Sequence, residues 1–173
     1  GPTEGVNQTA LYTVQAAALT TGAAVENEMG NVSTQFCESD EITLSYEQSC
    51  LDFQPTASGG MIELEVIMSN SSGSFANNTS NLGSQMVSTS DDMGEITVTI
   101  DPTVPIPSPN GGTYRFRIQT TDGFFTPGSQ TDPVMVAPPV LNTTGVQNPP
   151  VFFCAGDEIT LLYDERCLRP FAA

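Results

Sequence analysis

Two kinds of residue in this chain of 173 could do chemistry: four cysteines and several adjacent carboxylates. Cys37 and Cys50 lie thirteen positions apart, and so do Cys154 and Cys167. The chain has no Cys-x-x-Cys and no histidine to complete a zinc site. The cysteines therefore read as disulfides, which form in an oxidising compartment. Four cysteines allow three connectivities. Bonds within each pair, Cys37–Cys50 and Cys154–Cys167, are expected because the spacing travels with the sequence around it. That scheme carries a geometric demand. A straight strand through residues 40–46 spans roughly 20 Å, whereas bonded cysteines have Cα atoms about 4.4–6.8 Å apart. The chain would have to fold back sharply over residues 47–49.

The carboxylates Asp40-Glu41 and Asp157-Glu158 recur at matching places, and Asp91-Asp92 stands close to Glu95. Clustered carboxylate oxygens suit a hard cation, so Ca²⁺ is the one metal these residues could hold. The competing reading makes the aspartates turn acids that accept backbone N–H groups at the start of a strand. Hydrolysis of a glycoside needs two carboxylates facing each other across a cleft, but the acids here fall on turns and outward strand faces. The serines have no histidine to act as base. No catalytic residue and no cofactor are expected.

The elements that position these residues are repeated. The fourteen residues Cys37-Glu-Ser-Asp-Glu-Ile-Thr-Leu-Ser-Tyr-Glu-Gln-Ser-Cys50 return as Cys154-Ala-Gly-Asp-Glu-Ile-Thr-Leu-Leu-Tyr-Asp-Glu-Arg-Cys167, offset by 117, with eight positions identical. A period near a hundred residues suits tandem domains, since solenoid units are shorter. Alternation of period two marks strands at Ile42/Leu44/Tyr46, Ile62/Leu64/Val66/Met68, Ile96/Val98/Ile100, Tyr114/Phe116/Ile118 and Val134/Val136. Gly-, Pro- and Ser-rich turns separate them. Short half-buried strands of this kind predict an all-β fold, an antiparallel Ig-like β-sandwich module with flanking partial modules.

The division expected from the repeat has five parts. Residues 1–15 are the terminal strand of a preceding module or a donor strand. Residues 16–30 are a linker, 31–137 the complete sandwich, 138–150 a Pro-rich linker, and 151–173 the start of the next repeat. Neither partial module can bury its apolar face alone. Leu11, Tyr12 and Val14 at one end, and Ile159, Leu161, Tyr163 and Phe171 at the other, are therefore expected to make the assembly contacts. Arg115 and Arg117 on one outward face, and Glu63 and Glu65 on another, are expected to form cross-strand ion pairs.

Twenty acidic residues against four arginines give a net charge of −16, which repels nucleic-acid phosphates and anionic lipid headgroups. No apolar run reaches the roughly 20 residues of a membrane span. Asn-x-Ser/Thr sequons occur at Asn7, Asn31, Asn70, Asn77, Asn78 and Asn142, which makes covalent glycans the expected modification.

Phe153-Cys154-Ala155-Gly156-Asp157-Glu158-Ile159-Thr160-Leu161 resembles the opening of Ig-like and PKD-like repeats in large surface proteins of Bacteroidota. The run 69–75, the stretch 94–100, the Pro-rich loop and Gly112-Thr113-Tyr114-Arg115-Phe116-Arg117-Ile118 follow in that family's order. The first copy departs by placing Ser39 where the family has glycine. The resemblance implies an exported β-sandwich in a multi-repeat surface protein, extracellular or at the cell surface. The expected partner is the protein itself, end to end, as tandem repeats or as a homopolymer. A carbohydrate-binding or adhesin module, using Phe124 and Phe125, is the alternative.

Overall fold

A computed structural model describes residues 14–70, 75, 79–148, 152 and 154–168. Among the described residues ten strands form in chain order: β1 Ala18–Asn27, β2 Gln35–Cys37, β3 Glu41–Ser49, β4 Met61–Asn70, β5 Thr79–Ser88, β6 Met93–Thr99, β7 Gly112–Thr120, β8 Val134–Ala137, β9 Val140–Val146 and β10 Leu161–Arg166. One sheet has the order β1-β3-β6 and a second the order β2-β8-β7-β4-β5. The two face each other as an Ig-like β-sandwich. All pairs within them are antiparallel except β2 with β8, which run parallel. The hairpin β9-β10 stands as a separate two-stranded sheet after the sandwich.

The alternation read from the sequence sets the core. Ile42, Leu44 and Tyr46 of β3, Ile62, Leu64, Val66 and Met68 of β4, Ile96 and Val98 of β6, and Tyr114, Phe116 and Ile118 of β7 are all buried in one cluster. Val134 and Val136 of β8 join it, while Met135 between them faces outward. Each fully buried side chain of this size contributes about 1.5–3 kcal/mol relative to exposure.

Residues 16–30 do not form the expected linker. Ala18–Asn27 is β1, paired along β3, and its Leu19 and Val25 belong to the core. The outer edge of β1 is closed by the connection between β7 and β8. Thr126 N–H donates to the Leu19 carbonyl at 2.9 Å and Asp132 N–H to the Ala23 carbonyl at 2.8 Å. Residues 138–150 likewise contain a strand, β9.

Strand β8 covers only the first three residues of β7. Beyond it, buried hydroxyls satisfy the backbone of β7. Thr131 Oγ1 accepts from Phe116 N–H at 3.0 Å, and Thr21 Oγ1 accepts from Ile118 N–H at 2.8 Å. A buried N–H left without a partner costs about 1–3 kcal/mol. Thr131→Val keeps the shape and removes the acceptor, so it is expected to destabilise the chain by about that amount. Thr131→Ser should restore most of the loss. Urea denaturation of both variants checks it.

Candidate functional site

The boundary between the two copies is where the repeated residues come together. The tripeptide β2 ends at Cys37, and the chain turns at once into β3. Asp40 closes this turn. Cys37 N–H donates to Asp40 Oδ2 at 2.6 Å, and Asp40 N–H donates back to the Cys37 carbonyl at 3.0 Å. Glu38 N–H donates to Ala137 O and Ser39 N–H to Ile100 O, which ties the turn to both sheets. Ser39 adopts φ 73°, the left-handed region that favours glycine. Its counterpart Gly156 has φ 98°.

The second copy rebuilds the same turn. Cys154 N–H donates to Asp157 Oδ2 at 2.6 Å, and Asp157 N–H to the Cys154 carbonyl at 3.0 Å. Asp40 and Asp157 thus both act as turn acids. Glu41 and Glu158 are exposed, as are Asp91 and Asp92 in the turn between β5 and β6. Among the described residues, no three His, Cys, Asp or Glu side chains gather as a cation site would require.

The disulfide differs from the expected scheme. Cys37 is bonded to Cys167, 130 residues on, with Cα atoms 5.4 Å apart. Cys50 and Cys154 are free thiols. The reason is the straightness of β3. Residues 47–49 do not fold back; they stay in the strand, paired to Thr20, Leu19 and Ala18. Nine strand residues carry Cys50 about 30 Å along the sheet from the turn that holds Cys37. Strand β10 delivers Cys167 there instead. A cleft of about 520 Å³ opens beside the bond, lined by Gln35, Phe36, Asp40, Met135 and Arg166 among others.

The hairpin β9-β10 repeats β1-β3 in register. Leu19 lies opposite Gln48, and Leu141 lies opposite Glu165, its counterpart. Thr21 faces Tyr46 as Thr143 faces Tyr163, and Val25 faces Leu44 as Val146 faces Leu161. Both hairpins carry a bulge beside the glycine, Gly22 or Gly145. What differs is cover. Leu44 and Tyr46 are 0% and 4% exposed, whereas Leu161 and Tyr163 are 55% and 61% exposed. Leu141 and Ile159 are likewise exposed where Leu19 and Ile42 are buried. Burial holds the Tyr46 phenol above its ordinary pKa, with Asp91 adding to the effect. The copies also differ at one anchor. Gln48 Nε2 donates to the carbonyls of Ser88 and Asp91, and Glu165 has no amide to do so.

Of the remaining assembly candidates, Val14 is exposed, and Leu11, Tyr12 and Phe171 lie outside the described residues. Asn31 and Asn142 are exposed, Asn70 is half-buried at the end of β4, and Asn7, Asn77 and Asn78 lie outside the described residues.

The arginines do not meet the glutamates directly across the sheet. Strand β7 does neighbour β4, but the register sets Ile67 opposite Arg117 and Gln119 opposite Glu65. Arg117 donates to Gln119 Oε1 at 2.6 Å, and Gln119 donates to Glu65 Oε1 at 2.7 Å. The Arg117 guanidinium lies over two rings, 4.2 Å from the Phe75 centroid and 3.8 Å from that of Phe125. Such contacts are worth about 0.5–2 kcal/mol. Phe125 is thus engaged with Arg117, and Phe124 packs against the core. A second cleft, of about 500 Å³, lies along β1, β3 and β6, with Thr20, Ser45, Tyr46, Glu47 and Glu95 in its lining. It brings no nucleophile beside a histidine, since the chain has none.

Sequence reading missed the hairpin equivalence and the buried hydroxyls. The signal for the first is short: Leu19-Thr20-Thr21-Gly22 against Leu141-Asn142-Thr143-Thr144-Gly145. Among the described residues no helix is long and apolar enough to cross a membrane. No family model matches the chain, and no curated sequence matches it. Among solved structures the chain is similar to the apo-form Calx CBD1 domain, at 12% identity and a TM-score of 0.32, over 69% of this chain and 97% of that one.

Proposed function

We propose that the chain is a structural, non-catalytic repeat of an extracellular filament, stalk or long surface protein of the Bacteroidota type, joined end to end with modules of its own kind. One observation carries this reading. Strands β9 and β10 rebuild the opening hairpin of the sandwich in register, yet expose the residues that the first copy buries. An apolar face with that pattern is complementary to the rest of such a module, the part equivalent to residues 51–137. The central sandwich already has its own β1 and β3, so it offers no vacancy for a second such hairpin. This favours modules in tandem on one polypeptide over separate subunits that exchange a strand.

The Cys37–Cys167 bond supports an extracellular setting. Exposed Asn31 and Asn142 are the sequons best placed to carry glycans. Electron microscopy of the native material, with the intact mass of its polypeptide, tests the proposal. Linear arrays built from a polypeptide several times the 18.3 kDa of this chain are expected. A native polypeptide of one repeat that stays monomeric would refute it. Glycan-array binding by the isolated protein would favour the adhesin alternative.

A further inference from the structure

The Cys37–Cys167 bond joins unlike positions of two copies. Cys37 is the first cysteine of its repeat, and Cys167 is the second cysteine of the next. The thiols left over are of complementary kinds. Cys50 is a second-position cysteine, and Cys154 is a first-position one.

Both free cysteines hold the backbone geometry of their bonded equivalents. Cys50 has φ 54° and Cys167 has φ 58°, a left-handed conformation uncommon for a residue with a side chain. Cys154 sits in the same aspartate-closed turn as Cys37, with both hydrogen bonds at matching lengths. Cys154 is exposed and Cys50 half-buried, so neither is sealed in a core.

We propose that Cys37–Cys167 is one rung of a series, in which the first cysteine of each repeat is bonded to the second cysteine of the repeat that follows. Cys154 then bonds the second cysteine of the module after it, and Cys50 the first cysteine of the module before it. The proposal rests on the tandem reading and names the covalent link within it. Forming a rung takes one hydrogen from each thiol. A low-molecular-weight disulfide first exchanges with one cysteine, releasing a thiol. The thiolate of the partner cysteine then attacks the protein sulfur of that mixed disulfide and expels the second thiol. Two protein thiols and one small disulfide become one protein disulfide and two small thiols.

The rungs overlap. The loop closed by Cys37–Cys167 contains Cys154, where the next loop begins. Successive loops share the segment 154–167, so the covalent path runs from rung to rung through thirteen residues of each repeat.

The test extends the chain by one module: residues 1–167 followed by a second copy of residues 51–168 that carries Cys154→Ser, so that the only first-position cysteines are Cys37 and the original Cys154. Non-reducing peptide mapping and thiol alkylation are then compared with the 173-residue chain. In the shorter chain Cys50 and Cys154 should both alkylate. In the extended chain, Cys154 labelling should fall to background as it bonds the appended Cys167, while Cys37–Cys167 persists and Cys50 still labels. Cys154→Ser in the first copy of the extended chain should leave the appended Cys167 alkylatable without loss of fold. A peptide joining Cys154 to the Cys167 of its own copy, or Cys37 to Cys50, would overturn the proposal. Proteolysis across residues 161–166 separates the two readings. If that segment becomes protected but Cys154 stays free, the rung fails and the tandem reading stands. If it stays cleavable, the tandem reading fails and the rung falls with it.

Discussion

Leu44→Ala is expected to destabilise the chain by about 2–5 kcal/mol, whereas Leu161→Ala should change its stability by about 0.5 kcal/mol or less. The two residues occupy the same place in the repeat, 117 positions apart: each follows Asp-Glu-Ile-Thr and each pairs with a valine of the adjacent strand. Identity and backbone setting are shared, so only cover distinguishes them. Leu44 is enclosed by both sheets, and truncating it leaves a cavity in addition to the lost transfer energy. Leu161 stands on a two-stranded sheet with its side chain more than half exposed. Urea denaturation, read as a change of midpoint at constant slope, measures both effects. In the chain extended by one module, Leu161→Ala should become as costly as Leu44→Ala. Equal small effects in both chains would mean that the hairpin is not the opening of a second sandwich.

Much of the sandwich was legible because one face of each strand is buried and the other is not. Phe116 and Ile118 point inward, and Arg115 and Arg117 outward, and a slip of one residue would reverse all four. Period-two alternation records that directly. Strand β1 escaped notice for a physical reason as well. Leu19, Thr21 and Val25 face inward, but the bulge between Thr21 and Val25 breaks the alternation. Its equivalence with β9 was hidden too. From Val25 to Cys37 the chain takes twelve residues, and from Val146 to Cys154 it takes eight, so a fixed offset of 117 does not align the two strands.

The cysteine pairing was misread because sequence proximity stood in for distance in space. Nine residues of extended strand hold Cys37 and Cys50 far apart, whereas the fold brings together Cys37 and Cys167, 130 positions apart in the chain. The demand for a sharp reversal over residues 47–49 was the warning in the sequence. Nothing local marks such a reversal: Tyr46-Glu47-Gln48-Ser49 contains neither glycine nor proline. The hydroxyls of Thr21 and Thr131 were illegible for another reason. Their partners lie 97 and 15 residues away, and they act only because β8 stops short of covering β7.

Cys37→Ser is expected to cost about 2–5 kcal/mol under non-reducing conditions, because the lost bond closes a loop of 130 residues. Cys50→Ser and Cys154→Ser should be nearly neutral in the 173-residue chain, and reductant should abolish the difference among the three. An unchanged midpoint for Cys37→Ser would show that the bond does not constrain the unfolded chain. The larger effect is mechanical and appears when modules are pulled in series. Without rungs, an unfolding repeat frees all 117 of its residues, about 400 Å of extended chain. With every rung in place, tension passes from one disulfide to the next through thirteen residues, about 45 Å. Force spectroscopy of a tandem array should therefore show long unfolding steps in reductant and almost none in oxidant. The overlap of successive loops produces this contrast. Disulfides confined within each repeat, as Cys37–Cys50 and Cys154–Cys167 would be, shorten each step by only thirteen residues and leave long steps in both conditions. Long steps that persist under oxidation would therefore exclude the interlocked series.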